Sequence, residues 1–150
     1  MKFKVLAAGK GCRVVARADD DATPEYVECG LEREFFEYRQ AGGSIAKDVD
    51  RMAAVFDFIA KEGRARSTRL FHEADKAEGI YEFTKGDLRV YFSFVPYQGQ
   101  LCVCSHAIRK KGNKAKSADK KAAARLAAAF RQAIADGSVE LIVPTKEKNP

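Results

Sequence analysis

Apolar and polar positions alternate from the first residues. Lys2 to Ala8 (KFKVLAA) and Cys12 to Ala18 (CRVVARA) read as two short strands, and Gly9-Lys10-Gly11 between them is a hairpin-type turn. Asp19-Asp20-Asp21 breaks the alternation, and the period then changes. Thr23-Pro24 is a helix-start signal, after which Val27, Leu31, Phe35 and Tyr38 recur at about one helical turn. Gln40-Ala41-Gly42-Gly43 ends that helix. Ser44 then caps a second, whose apolar stripe is Ile45, Val49, Met52, Phe56 and Ile59 and whose terminator is Gly63. Two helices joined by a short glycine link are expected side by side as a hairpin.

Arg64 to Gly79 is polar and reads as a connection. Three strands follow, Ile80–Thr84, Leu88–Val95 and Gln100–Ile108, linked by Lys85-Gly86-Asp87 and Pro96-Tyr97-Gln98-Gly99. Links this short predict an antiparallel meander. Ser117 caps a last helix that buries Leu126, Phe130 and Ile134 and stops at Gly137. Val139 to Val143 has the pattern of one more short strand, and the tail from Pro144 (PTKEKNP) is expected to fray. Hairpin, helical hairpin, three-stranded meander and helix make an α+β layer fold, a single domain over residues 1–150.

Composition narrows the class. The chain has 150 residues, 46% hydrophobic and 32% charged, which fits one globular domain rather than a disordered chain. No apolar run approaches the roughly 20 residues of a membrane span, and MKFKVLAAG is too short for a secretory signal, so a cytoplasmic protein is expected. Cys12, Cys29, Cys102 and Cys104 fit that compartment as buried reduced thiols. Cys102 and Cys104 share a strand face but lack the second pair of a zinc signature, which leaves a metal or redox role as the minor reading.

Charge is unevenly spread. Between Lys85 and Arg125 there are ten Lys/Arg against two Asp; between Asp19 and Asp50 there are ten Asp/Glu against three Lys/Arg. The basic half attracts polyanions. The acidic half is the wet face of helices or a surface for a basic partner.

No GxxxxGK[ST], GxSxG, HExxH or GxGxxG signature is present. Alternation places Leu88, Val90, Phe92 and Phe94 on one strand face, toward the core, and Arg89, Tyr91, Ser93 and Val95 on the other, more open one. Arg89, His106 and the pair Lys110 and Lys111 are thereby expected at one end of the sheet, although the face taken by His106 depends on strand register. Such a set suits phosphodiester chemistry. Arg89 grips a phosphate bidentately, and Tyr91 stacks on a base. His106 moves a proton near neutrality, while Arg109, Lys110, Lys111, Lys114 and Lys116 follow a backbone. The plainer alternatives are an ion-paired arginine, with Glu82 as a partner for a basic residue, a satisfied core histidine and a solvated lysine loop.

The segment from Gly79 to Leu126 resembles the RelE/ParE toxin superfamily, in particular its phage-derived, HigB-like branch. The resemblance is carried by Tyr81-Glu82-Phe83, Arg89, His106, Lys110-Lys111 and the lysine-rich helix start, with Lys85 beside Thr84, where the family often has arginine. It implies a RelE-like fold and the toxin of a type II toxin–antitoxin pair that cuts mRNA on the ribosome without a metal or other cofactor. Arg89 would stabilise the phosphate, with His106, Lys110 and Lys111 supplying charge or proton transfer and Lys85 helping to hold RNA. The implied partners are a cognate antitoxin, expected to be a helix-turn-helix protein, together with mRNA and the ribosome, and no membrane. Other members of the superfamily inhibit DNA gyrase by binding it, and an inactive nucleic-acid-binding relative is the remaining reading.

Overall fold

The computed structural model describes residues 1–110 and 116–145. In chain order the elements are β1 (Lys2–Ala8), β2 (Arg13–Arg17), α1 (Gly30–Ala41), α2 (Gly43–Glu62), β3 (Phe71–Asp75), β4 (Ile80–Lys85), β5 (Leu88–Pro96), β6 (Gln100–Arg109), α3 (Ser117–Ala135) and β7 (Glu140–Ile142). Among the described residues the strands form one seven-stranded mixed sheet, ordered β3-β4-β5-β6-β2-β1-β7. The α+β class holds, but the sheet does not have the expected RelE-like topology: the three-stranded meander is only the centre of a larger mixed sheet. β3 extends it to four antiparallel strands, and β2 runs parallel to β6, carrying the β1–β2 hairpin and β7 into the same sheet.

β3 lies inside the segment read as a connection. Its sequence, FHEAD, gives no apolar alternation because it is an edge strand with little to bury. The expected helix start at Thr23-Pro24 is also displaced, since α1 begins at Gly30. The Thr23 hydroxyl accepts from the Tyr26 amide at 3.2 Å, closing a turn, and Cys29 bridges back to Ala18 in extended conformation. Val27 therefore lies outside the helical stripe. Neither Ser44 nor Ser117 caps: each lies within its helix, and the N-cap positions are Gly42 and Lys116, without side-chain cap bonds.

Helices cover both faces. α1 and α2 bury Leu31, Phe35, Val49, Met52, Phe56 and Ile59 against Val14, Phe83, Leu88, Val90, Phe92 and Cys104. Phe83 and Phe92 stack at 3.9 Å between ring centroids in the middle of this layer. All four cysteines are buried there as thiols, none in a disulfide. α3 covers the other face, seating Phe130 edge-on against Phe3 at 4.6 Å and Ala123 over Tyr91. The face of Arg89 and Tyr91, expected to be the open one, is thus covered. The chain positions that do this are alanines, Ala123, Ala127 and Ala133 with Phe130, while Leu126 and Ile134 are only partly buried. Among the described residues no helix is long and apolar enough to cross a membrane.

Candidate functional site

The site is a row of ionisable side chains laid across four strands on the α3 face. Register aligns His72 with Glu82 and Glu82 with Tyr91, with Thr84 beside Arg89 and Arg89 beside Ile108. Regular alternation along β6 would leave His106 on the face of Cys102 and Cys104, in the core. The register instead shifts between Val90 and Phe92, so that two residues, Ser105 and His106, oppose Tyr91. This β-bulge turns His106 onto the face of Arg89 and Tyr91, a common use of bulges. Its ring lies 5.3 Å from that of Tyr91.

Most of the row is held in place, although the buried Tyr91 hydroxyl and Glu82 Oε2 have no hydrogen-bond partner among the described residues. Glu82 is 1% exposed, and its Oε1 lies 3.2 Å from both Arg89 Nε and His72 Nε2. Arg89, 7% exposed, also donates from Nη1 to the Gly86 carbonyl at 2.6 Å. The plainer reading of Glu82 as the partner of a basic residue is therefore correct, and that residue is Arg89. His106 Nε2 stands 2.9 Å from Asp119 Oδ1 in the first turn of α3, and its Nδ1 stands 2.8 Å from Ser105 Oγ. Burial, reinforced by the neighbouring Glu82 carboxylate, pushes the Tyr91 phenol above its ordinary range, so it remains a protonated donor. Glu34 of α1 accepts from the Ala107 amide at 3.1 Å. Burial raises its carboxyl, against the opposing pull of that amide and of His106.

His106 and Ser105 line an open cleft of about 610 Å³ with Arg17, Asp19, Asp20, Arg33 and Glu34. The cleft is not uniformly basic: Arg33 is already engaged by Asp19 at 2.7 Å and Glu28 at 3.2 Å. Among the described residues no group of three or more His, Cys, Asp or Glu side chains is arranged to hold a metal.

The structure brings together Arg89, Tyr91 and His106 on the α3 face. Lys110 lies at the end of β6, its amide donating to the Asp87 carbonyl at 2.7 Å; its side chain is buried, and its ammonium has no hydrogen-bond partner among the described residues. Tyr91 is fully buried, so base stacking is not available to it in this conformation. Lys85 and Arg109 pair with Leu88 and so lie on the opposite face, Lys85 beside Phe58 of α2. Lys116 is exposed at the N-cap of α3. Lys111, Lys114 and the end of the tail, 146–150, lie outside the described residues. Asp119 and Ser105 were not evident in the sequence as partners of His106, because the bulge and the docking of α3 create both contacts. The sequence matches no protein-family model, and no curated protein matches it.

Proposed function

We propose that the chain is a RelE/ParE-like toxin of the HigB type that cleaves mRNA on the ribosome. The observation that carries this reading is the bulge at Ser105-His106, which gathers His106, Arg89 and Tyr91 on one face, at the sheet end where the lysine-rich segment begins. In the reaction the ribose 2′-hydroxyl loses a proton and attacks the adjacent phosphorus. The bond from phosphorus to the 5′-oxygen breaks, and that oxygen takes a proton. Arg89 answers the charge that develops on the phosphoryl oxygens, and the Tyr91 phenol adds a neutral donor. His106, between Ser105 and Asp119, moves the proton. Lys110 and the lysines from Lys111 to Lys121 hold the backbone. Arg89 is buried at rest against Glu82 and the Gly86 carbonyl, so substrate reaches it only after its cover opens.

A protein-binding mode, as in gyrase inhibition, is the second reading. It is favoured by Tyr26 and Phe36, exposed at 66% and 61% on the acidic half of the chain. A cognate antitoxin and a cytoplasmic setting belong to both readings.

The test is induced expression in bacteria with primer extension across abundant mRNAs. Arg89→Lys keeps a cation beside Glu82 but loses the bidentate grip; Lys111→Ala removes one backbone contact. Growth arrest with new 5′ ends inside translated regions, lost in Arg89→Lys and weakened in Lys111→Ala, supports cleavage. Arrest with intact mRNA and recovered gyrase favours the second reading. No arrest overturns both.

A further inference from the structure

The buried carboxylate of Asp48 belongs to α2, on the other side of the sheet from the site, and none of the chemistry above uses it. It is 3% exposed, in a helix whose other buried positions are apolar. A carboxylate is buried at a cost unless its oxygens are satisfied. Asp48 Oδ1 accepts from Arg51 at 3.0 Å, and Oδ2 accepts from the amide of Asp87 at 3.2 Å. Asp87 and Gly86 form the tight β4–β5 turn. Gly86 has a φ of +56°, and a Cβ there would lie 2.3–2.5 Å from the Asp48 carboxylate. Glycine is thus required twice, by its backbone and by its neighbour.

The two carbonyls of that turn face the site. Gly86 O accepts from Arg89 Nη1 at 2.6 Å, and Asp87 O accepts from the Lys110 amide at 2.7 Å. One carboxylate therefore stands beneath the turn that holds both the guanidinium and the backbone of the lysine. We propose that Asp48 is a positioning residue of the site, acting through the Gly86-Asp87 turn to fix Arg89 and Lys110. This rests on the reading of Arg89 and Lys110 as working residues. The placement of their donors, however, is measurable without any activity.

The experiment uses the full chain in three variants. Asp48→Ala removes the acceptor, Asp48→Asn retains an oxygen for the Asp87 amide, and Gly86→Ala crowds the same contact from the other side. Amide exchange by NMR follows Lys110, with Val15 as the control for global opening, and the Arg89 Nε–H resonance reports the guanidinium. Cleavage of ribosome-bound mRNA in a purified translation system gives kcat and KM. In Asp48→Ala and Gly86→Ala, Lys110 exchange is expected to rise about tenfold, the equivalent of one lost hydrogen bond, with Val15 unchanged and the Arg89 signal shifted. In both, kcat is expected to fall by roughly ten- to a hundredfold at near-constant KM, the signature of a misplaced catalytic group. Asp48→Asn is expected to restore most of each. If Lys110 exchange and the Arg89 signal stay at wild-type values in both disruptive variants, the proposal is overturned. If the wild type cleaves nothing, the nuclease reading falls and the NMR result alone decides the positioning.

Discussion

Replacing Glu82 with leucine removes the acceptor shared by Arg89 and His72 while keeping the side chain's bulk. The Glu82–Arg89 pair is buried at both ends, at 1% and 7% exposure, with Oε1 and Nε 3.2 Å apart. At an effective dielectric near 20, charges at that separation attract by about 5 kcal/mol before desolvation is counted. Removing one partner of such a pair costs about 3–5 kcal/mol, because the other charge is left buried. Arg89 keeps its bonds to the Gly86 and Leu88 carbonyls, so the lower end, about 3 kcal/mol, is expected. For a chain of this length that is a fall in Tm of about 6–12 °C. Denaturant titration should show a lower midpoint at unchanged m-value. The double variant Glu82→Leu/Arg89→Leu buries neither charge and should cost well under the sum of the singles, with a coupling of about 2 kcal/mol or more. Singles costing less than about 1 kcal/mol each, adding within about 0.5 kcal/mol, would refute the view of this pair as a buried charge unit.

Three further outcomes are expected. Phe130→Ala, at a fully buried ring edge-on to Phe3, should cost about 3–5 kcal/mol, read as a lowered midpoint with early loss of amide protection in β1. Glu34 has a raised carboxyl, so its burial cost is present when it is ionised and vanishes once both folded and unfolded chains are protonated. Glu34→Gln, whose oxygen still accepts from the Ala107 amide, should stabilise the protein at pH 7, with the gain closing as pH falls through the raised value. Among the thiols, Cys12 should be alkylated first in a mass-spectrometric time course. Its thiol is pulled down by the Cys102 thiol 3.8 Å away, whereas burial raises Cys29 to about 12 and Cys104 further.

Much of this architecture could be read from the chain because certain signals are local. The stripe Ile45-Val49-Met52-Phe56-Ile59 and the stop at Gly63 need nothing beyond the helix itself, and the alternation of β5 alone puts Arg89 and Tyr91 opposite Phe92 and Phe94. The features that escaped depend on partners. Thr23-Pro24 has the chemistry of a helix start, but Thr23 spends its oxygen on Tyr26. The bulge that re-aims His106 exists only against Val90 to Phe92, and β6 read alone keeps perfect alternation through it. α3 covers the site with alanines, a weak hydrophobic signal beside Leu126. Asp48 did leave a trace: it falls on the helical stripe between Ile45 and Met52, where a carboxylate is out of place unless something across the layer needs it.

The sheet order has a consequence in time as well as in space. Lys2 pairs with Glu140 and Arg13 with Leu101, so the β1–β2 hairpin is wedged between two strands made well after it, β6 and β7. While the chain grows, β1 and β2 have only each other, and their outer edges wait for β6 and β7. The helical hairpin closes locally long before then. Folding of this chain is therefore gated by its two long-range parallel pairings, which are slow to form, and the row from His72 to His106 is assembled only after β6 has emerged. A nascent chain still short of β6 has its α1–α2 hairpin but not the row, which is completed only when Gln100–Arg109 is there to pair with β5.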